Sequence, residues 1–350
     1  MAVSPFDHPF LSGLLGDDLM SSQFSTDAEI AAMLDFERAL AEAEAEAGVI
    51  RPAAAKTIVS ALHAFAPDMA RLKAGTARDG VVVPELVRQI RSAVEKPYDA
   101  DVHFGATSQD VIDTGLIVRL KPVVAQLDAG LAEIIERLEA IEAQFGNRHL
   151  MGRTRMQAAI ANTVADRIRA WREPLVRHRH RLGEQRKELF VVQFGGAAGT
   201  LEKLGDKAAA VRAALAARLG LADAPQWHSQ RDRLADFANV LSLITGSIGK
   251  FGQDIALMAQ TGGEIELSSG GSSSAMPHKQ NPVAAEALVT LARFNATQLA
   301  GMHHALVHEQ ERSGAAWTLE WLLLPQMVAA AVAALRLANE LTKQITTVGA

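Results

Sequence analysis

The 350-residue sequence contains no cysteine, which excludes a disulfide framework, a thiol nucleophile and a cysteine-ligated zinc site. Its net charge of -5 and its 21% of charged residues fit neither a disordered chain nor a protein with a basic nucleic-acid-binding face. The first sixteen residues lack the basic start and the apolar run of an export signal. We therefore expect a globular cytoplasmic protein with no nucleic-acid partner.

Long uninterrupted apolar runs are also missing. The most apolar segment, residues 321–335, contains Pro325 and Gln326 and is flanked by Glu320 and Arg336, so we predict a buried helix that is too short to span a membrane. The sequence has no glycine-rich dinucleotide or phosphate-loop motif and no repeat of 20–50 residues. Neither a membrane partner nor a nucleotide or redox cofactor is expected.

Apolar residues at helical spacing account for most of the chain. Thr26 and Glu29 have the spacing of a capping box, and the apolar positions after them predict a helix over about residues 27–47. Five longer helices are predicted: one from the residues after Thr107 to Gly146, with a kink near Pro122; one after Gln157, with a bend at Pro174; one over residues 234–258, with unbroken steps of three and four; and one after each of Pro282 and Trp317.

The fold class predicted from these patterns is all-α, because strand-like alternation is scarce. We expect a small, mostly helical N-terminal domain over residues 1–100 and a bundle of long helices, about 45 Å in length, over residues 101–350. The apolar faces of the long helices are broader than one bundle needs for its own core. The sequence therefore predicts a homo-oligomer in which helices of several subunits pack together.

A loop rich in glycine and serine, residues 270–282, separates two of the predicted long helices. Its first part offers little apolar surface, whereas Met276-Pro277 is a stiff hinge and Asn281-Pro282 fits an N-cap followed by proline at the first helical position. Hydroxyl and backbone N–H groups beside Lys279 and a helix N-terminus can stabilise a developing anion. Composition alone also fits a flexible linker, but a linker does not require Met-Pro-x-Lys-x-Asn-Pro.

Three other polar clusters mark the ends or interruptions of predicted helices: residues 107–110 with Asp113 and Thr114, residues 152–157, and residues 227–232. Each has a structural explanation when taken alone, because Thr107 and Ser108 can cap a helix, Arg155 can form a surface ion pair and His228 can be a buried structural histidine. Other histidines lack the glutamate arrangement of a hydrolytic zinc helix, so we expect no metal site and treat them as solvated or packing residues: His178, His180, His303, His304 and His308.

Taken together, the clusters resemble the fumarase/aspartase superfamily over nearly all 350 residues. The loop is similar to the superfamily signature Gly-Ser-Ser-x-Met-Pro-x-Lys-x-Asn-Pro, and residues 107–114 resemble another of its conserved motifs. Within the superfamily, residues 103–110, 193–200 and 227–232 are most similar to the 3-carboxy-cis,cis-muconate cycloisomerase family.

This resemblance implies a long central helical bundle and a homotetramer in which each active site is built from three subunits. It implies an intramolecular lyase of aromatic compound catabolism that acts on a small tricarboxylate without a cofactor. Many relatives carry a further C-terminal helical domain after the fifth long helix, and the resemblance implies that this sequence, which ends at Ala350, lacks it.

The resemblance also implies roles for individual residues. The family's catalytic serine falls on Ser273, three residues before Met276, and the signature glycine is replaced by Ser272. Lys279, Asn281 and Glu286 match the family's lysine, asparagine and downstream glutamate. The remaining candidates are expected to bind substrate: His103, Thr107, Ser108, Gln157, His228, Arg231, Ser274, Met276 and Arg312.

One departure from the superfamily is chemically informative. Related lyases have a histidine after Gly-Arg-Thr, where this sequence has Arg155. Histidine can protonate a departing amine or water, whereas a carboxylate that closes a lactone needs only a fixed cation, which arginine supplies. We therefore expect Arg155 to orient the lactonising carboxylate, balanced by Glu286. The alternatives are a fumarate-releasing lyase of the adenylosuccinate type and, as another class of protein, a catalytically silent helical scaffold.

Overall fold

A computed structural model describes residues 4–276 and 278–350 of the chain. Helices dominate these two ranges, as the all-α prediction requires, and their bounds are α1 Ser12–Leu15, α2 Asp18–Gln23, α3 Thr26–Glu46, α4 Pro52–His63, α5 Met69–Asp79, α6 Val83–Ala93, α7 Ser108–Phe145, α8 Val164–Leu189, α9 Ala208–Leu219, α10 Asp232–Thr261, α11 Val283–His304 and α12 Gly314–Gln344. Two antiparallel pairs of short strands complete the fold, β1 His149–Thr154 with β2 Gln157–Thr163 and β3 Ile265–Leu267 with β4 Ile345–Val348. Two 3-10 turns lie at Tyr98–Asp101 and Gly205–Lys207.

The five predicted long helices are confirmed as α7, α8, α10, α11 and α12. The unbroken apolar spacing over residues 234–258 lies in α10, and all eight of its apolar positions are buried. Burial of such a continuous face stabilises a long helix more than intrinsic propensity does. The sequence pattern therefore located the central helix of the bundle correctly.

The N-terminal helices differ from the prediction in detail. Helix α3 is capped by Ser25, whose side chain accepts a hydrogen bond from the N–H of Ala28 at 3.2 Å, so the cap lies one residue before Thr26. Ser25 has an extended backbone, as an N-cap requires. Helices α1 and α2 precede it and are only 4 and 6 residues long, too short for a periodic pattern to reveal. The proposed domain boundary near residue 100 stays a prediction.

The predicted start of the second long helix, directly after Gln157, is wrong. Residues 157–163 form strand β2, which pairs antiparallel with β1, and Ile160 is 78% exposed rather than on a buried helix face. The helix begins instead at Val164, because Thr163 and Asp166 form a capping box in which the Asp166 N–H donates to Thr163 Oγ1 at 3.2 Å. The predicted polar cluster at residues 152–157 therefore lies on a hairpin.

The long helices alternate in direction and define two ends of the bundle. End A comprises residues 103–114, 193–200, 227–232 and 305–320, joined by contacts such as the Arg231–Asp113 ion pair. End B comprises residues 146–163, 262–276, 278–286 and 345–350, joined by contacts such as the Arg153–Glu264 ion pair at 2.7 Å. Because α10 has 30 residues, the two ends are separated by about 45 Å along its axis.

Helix α12 has the length and hydropathy of a membrane span. Its most apolar 18-residue window has a mean hydropathy of 1.6, so the prediction that this segment is too short is wrong. The prediction of a buried helix is confirmed, since 67% of that window is buried and α12 packs against α7, α10 and α11. An alanine-rich stretch, residues 329–334, is at most 4% exposed and permits this close packing.

Candidate functional site

Asp110 organises the backbone of end A. Its side chain is fully buried, and its two oxygens accept hydrogen bonds of 2.8–3.1 Å from five donors: the N–H groups of Thr107, Gly195 and Gly196, Gln193 Nε2 and His228 Nε2. A carboxylate with so many partners has little capacity left for a substrate. Asp110 therefore holds the glycine-rich loop at residues 193–199 and the segment before α10 against the start of α7.

Arg231 lies at the centre of a second buried network. Its guanidinium pairs with Asp113 at 2.5 and 3.2 Å and with Glu320 at 2.5 and 2.9 Å, and it lies 4.8 Å from the ring centre of Trp227. Burial lowers the pKa of Arg231, but the attraction of the Asp113 and Glu320 carboxylates is larger than this effect. The pKa of Arg231 is therefore raised above its ordinary value. Arg231 is therefore a permanent cation inside the protein.

His228 and Arg231, which are expected to bind substrate, are both buried. They are 1% and 2% exposed, and the Arg231 fork is occupied by carboxylates of its own chain. Direct binding by these two residues stays a prediction. In this arrangement, His228 contacts Asp110, and Arg231 contacts Asp113 and Glu320, so both act on a ligand only by positioning other residues.

Four less buried residues line the outer side of end A. Thr107 caps the 38-residue helix α7 and Ser108 starts it, and both are half-buried, while Arg312 is exposed just before Ser313, the N-cap of α12. His103 is half-buried in a left-handed conformation with φ 60°, and its Nδ1 lies 2.6 Å from Glu37 Oε1. Hydroxyls at a helix N-terminus beside an arginine form a set that suits an anionic ligand.

End B carries the glycine- and serine-rich loop. Gly271 and Asn281 close its base with two backbone hydrogen bonds of 2.8 Å. Ser273 Oγ accepts hydrogen bonds from the N–H groups of Ala275 and Met276 at 3.3 and 3.1 Å, an arrangement that favours negative charge on that oxygen. Ser274, Met276 and Lys279 are exposed, while Pro277, half of the predicted hinge, lies outside the described residues.

The predicted N-cap at Asn281 is wrong. The backbone of Asn281 pairs with Gly271, Pro282 occupies the cap position, and α11 begins at Val283. The cap residue Pro282 has no hydroxyl, amide or carboxylate that could accept a hydrogen bond from the first turn of α11. Glu286 is exposed on that same turn.

Arg155 lies at the tip of the β1–β2 hairpin, also at end B. Arg155 and Met156 form a two-residue turn with φ of 48° and 67°, the backbone that such turns need and that glycine and asparagine adopt most easily. Both side chains are exposed, as is Gln157 on the following strand. The hairpin is attached to the segment before the loop by the Arg153–Glu264 pair.

The structure thus divides the predicted site residues into two groups. Arg155, Gln157, Ser273, Ser274, Met276, Lys279, Asn281 and Glu286 lie at end B, and His103, Thr107, Ser108, His228, Arg231 and Arg312 lie at end A. A cavity of about 770 Å³ between the N-terminal helices and α12 contains none of them. Within one chain, the residues of each group lie at the same end of the bundle, but the two groups lie at opposite ends.

Sequence reasoning missed the buried residues that support end A. In the sequence, Glu320 only bounds an apolar segment and Glu37 lies in no polar cluster. In the structure, Glu320 is buried beside Arg231 and Glu37 orients His103. The motif at residues 107–114 does not by itself show that Asp110 and Asp113 are buried. Their spacing of three residues, on one face of a helix, was the available signal.

Residues 16–301 match the sequence profile of a lyase family. The chain belongs to this lyase family. The resemblance to the fumarase/aspartase superfamily that the motifs indicated is thereby confirmed.

Named relatives within the lyase family narrow the comparison. A 3-carboxy-cis,cis-muconate cycloisomerase of Pseudomonas aeruginosa is 41% identical over 91% of this chain and 71% of its own length. Another, of Bradyrhizobium diazoefficiens, is 38% identical over 91% of this chain and 73% of its own length. The crystal structure of the 3-carboxy-cis,cis-muconate lactonizing enzyme from Pseudomonas putida superposes with a TM-score of 0.90 at 37% identity, and covers 97% of this chain and 77% of that one.

Proposed function

We propose that this lyase-family protein is a 3-carboxy-cis,cis-muconate cycloisomerase that acts in aromatic compound catabolism. The observation that carries the proposal is the shared name of relatives that are 38–41% identical over nine-tenths of the chain. The residues at the two ends of the bundle supply the chemistry that such a reaction requires.

The reaction is an internal addition that requires no external oxidant or reductant. A carboxylate oxygen of the substrate forms a bond to one carbon of a double bond, and the π electrons move to the neighbouring carbon and its attached carboxylate. The enediolate-like species that results is then protonated on carbon to give the lactone. Fixed hydrogen-bond donors are most effective at this developing charge.

Ser273 is the proposed proton donor in the forward direction, after which its alkoxide regains a proton from solvent, and it is the base in reverse. A serine hydroxyl is an ordinary weak acid, so its alkoxide needs support. The N–H groups of Ala275 and Met276 already donate to Ser273 Oγ. Lys279, Asn281 and the N-terminus of α11 supply further positive potential at end B.

Arg155 is proposed to hold the carboxylate that closes the ring. It is permanently charged and presents a planar fork that matches a carboxylate, and its position at an exposed hairpin tip allows it to reach a ligand outside its own chain. Glu286, at the same end, balances this charge. Gln157, Ser274 and Met276 complete the end B contribution.

The separation of the two residue groups supports a site shared between subunits. End A supplies His103, Thr107, Ser108 and Arg312 to the substrate carboxylates, with His228 and Arg231 behind them, and end B supplies the reacting groups. Since about 45 Å separates the ends within a chain, the two sets meet only if different subunits contribute them. We propose a cytoplasmic homotetramer with sites built from three subunits.

The test is to mix the purified protein with 3-carboxy-cis,cis-muconate, follow the loss of diene absorbance and identify the product by NMR. We expect absorbance loss and a single carboxymuconolactone. Adenylosuccinate, assayed in parallel by its own absorbance change, represents the fumarate-releasing alternative. Turnover of adenylosuccinate alone would refute the proposal. Turnover of neither compound, which a silent scaffold predicts, would refute it as well.

A further inference from the structure

Gln109 lies between the two buried networks of end A and the exposed Arg312. Its side chain is fully buried, and its Nε2 donates to Asp113 Oδ2 at 3.2 Å and to the backbone carbonyl of His228 at 2.8 Å. Both of these partners can only accept hydrogen bonds. The amide is therefore fixed in one orientation, with Oε1 directed at Arg312.

The side chain of Arg312 is oriented by a hydrogen bond to this amide oxygen. Its Nε donates to Gln109 Oε1 at 2.9 Å, and Nη2 donates to the carbonyl of Ala197 at 3.3 Å. Ala197 belongs to the loop that Asp110 holds through Gly195 and Gly196. One contact of the guanidinium thus ends on the buried Gln109 of α7, and the other ends on the exposed Ala197, next to the buried Gly196 that Asp110 holds.

The contacts of Arg312 leave one edge of its fork for a ligand. Among the described residues, no hydrogen bond engages Nη1, and Nη2 retains a second N–H. These two groups form the end of the guanidinium, the edge that grips a carboxylate through two parallel hydrogen bonds. The planar fork can do so only if its orientation is fixed, since a freely rotating arginine loses conformational entropy when it binds.

We propose that Gln109 is a positioning residue that orients Arg312 to bind one carboxylate of the substrate. The inference rests on the proposed function for the identity of that ligand. Gln109 does not touch the substrate. It acts by connecting the exposed cation to the Asp113–Arg231–Glu320 network.

The experiment is a double-mutant cycle with Gln109→Met, Arg312→Met and the double variant. Methionine keeps the length of glutamine without its donors or acceptor, and Asp113 retains Arg231 and Trp317 as partners. Gln126→Met is the matched control, because Gln126 is on the same helix and its Nε2 also donates to a carboxylate, that of Asp17, at 3.1 Å. Thermal unfolding and chain association are measured for each variant.

We expect Gln109→Met to raise the KM for 3-carboxy-cis,cis-muconate about tenfold, the scale of one hydrogen bond to a charged group, with a much smaller change in kcat. In the Arg312→Met background the same change should alter KM by less than about twofold, because Gln109 then has no guanidinium to orient. Gln126→Met should leave KM unchanged. An unchanged KM in Gln109→Met, or the same increase in both backgrounds, overturns the inference.

Failure of the proposed function can be distinguished from failure of this inference. If the wild-type protein does not convert the substrate, the function is wrong and Gln109 is judged by crystal structures of the wild-type and Gln109→Met proteins. A guanidinium of Arg312 that leaves its wild-type position supports the positioning role. A guanidinium that keeps its position and plane without Gln109 refutes it.

Discussion

At the scale of single residues, the chemistry depends on which charges are buried and which are free to meet a ligand. Arg231 is enclosed by two carboxylates, whereas Arg155 and Arg312 are exposed at opposite ends of the bundle. The first is a fixed part of the protein and the other two are available to anions. Residue type alone did not distinguish these roles, because an arginine can equally form a buried ion pair or bind an anion at the surface.

Replacement of Arg155 tests the cation at the hairpin tip. Arg155→Lys keeps the charge but loses the planar fork, and Arg155→His loses the permanent charge. We expect each to lower kcat/KM by about tenfold or more, with the histidine variant losing further activity as the pH rises above ~6.5. Steady-state kinetics on 3-carboxy-cis,cis-muconate provide the measurement. Unchanged kinetics in both variants would exclude the proposed role.

Glu44 carries a separate prediction, on stability. Its carboxyl is fully buried in α3, neither oxygen has a hydrogen-bond partner among the described residues, and burial, with help from Glu37 and Asp101, raises its pKa to about 9. The folded form keeps the proton while the unfolded form loses it above its ordinary pKa of 4.5. The protonated Glu44 carboxyl therefore makes its full contribution to the free energy of unfolding below pH 4.5. This contribution is lost as the pH rises to 9, by up to ~1.4 kcal/mol per pH unit.

Glu44→Gln should remove this dependence, because glutamine has nearly the shape of the neutral acid and does not ionise. We expect its melting temperature to exceed that of the wild type by an amount that grows between pH 6 and pH 9. Glu46→Gln, two residues along the same helix and exposed, is the control and should show no such growth. Parallel wild-type and Glu44→Gln melting curves across this pH range would contradict the assignment.

At the scale of elements, the long helices were predictable, whereas the two shortest helices and the β1–β2 hairpin were not. The apolar face of α10 follows from its apolar spacing, and the start of α7 follows from a capping box formed by Thr107 and Asp110. Both signals are local in sequence. The β1–β2 hairpin was missed because its strands are exposed and its turn consists of Arg155 and Met156 rather than Asn-Gly. Its pairing depends on two neighbouring segments together.

The loop that Asp110 holds supplies a test at this scale. Gly196 has φ 69°, and a Cβ there would lie 2.7 Å from the carbonyl oxygen of Gly105. Gly205 has φ 55° with open space around it, so it isolates the cost of the left-handed backbone alone. Gly196→Ala should destabilise the protein by more than about 2 kcal/mol, and Gly205→Ala by about 1 kcal/mol. Melting temperatures check the order, and equal losses would show that the close approach to Gly105 is unimportant.

At the scale of the whole molecule, the sequence proposed the site residues but not the end of the bundle at which each of them lies. Motif resemblance placed Ser273 and Ser108 in one active site, while the helix directions place them at opposite ends of the bundle. No local pattern carries that information, because it depends on how five helices pack. The prediction of an oligomer came from the breadth of the apolar faces, and the separation of the two ends supports it independently.

The measurement that tests the shared site most directly is recovery of activity in mixed oligomers. Ser273→Ala disables end B, and Ser108→Ala combined with Arg312→Met disables end A. We expect each variant alone to fold normally and lose most of its turnover of 3-carboxy-cis,cis-muconate. After the two are unfolded and refolded together, turnover should return, since some sites then combine an intact end A from one chain with an intact end B from another. Mixed oligomers that form, as verified by distinct affinity tags, yet remain as inactive as the separate variants would contradict an active site shared between chains.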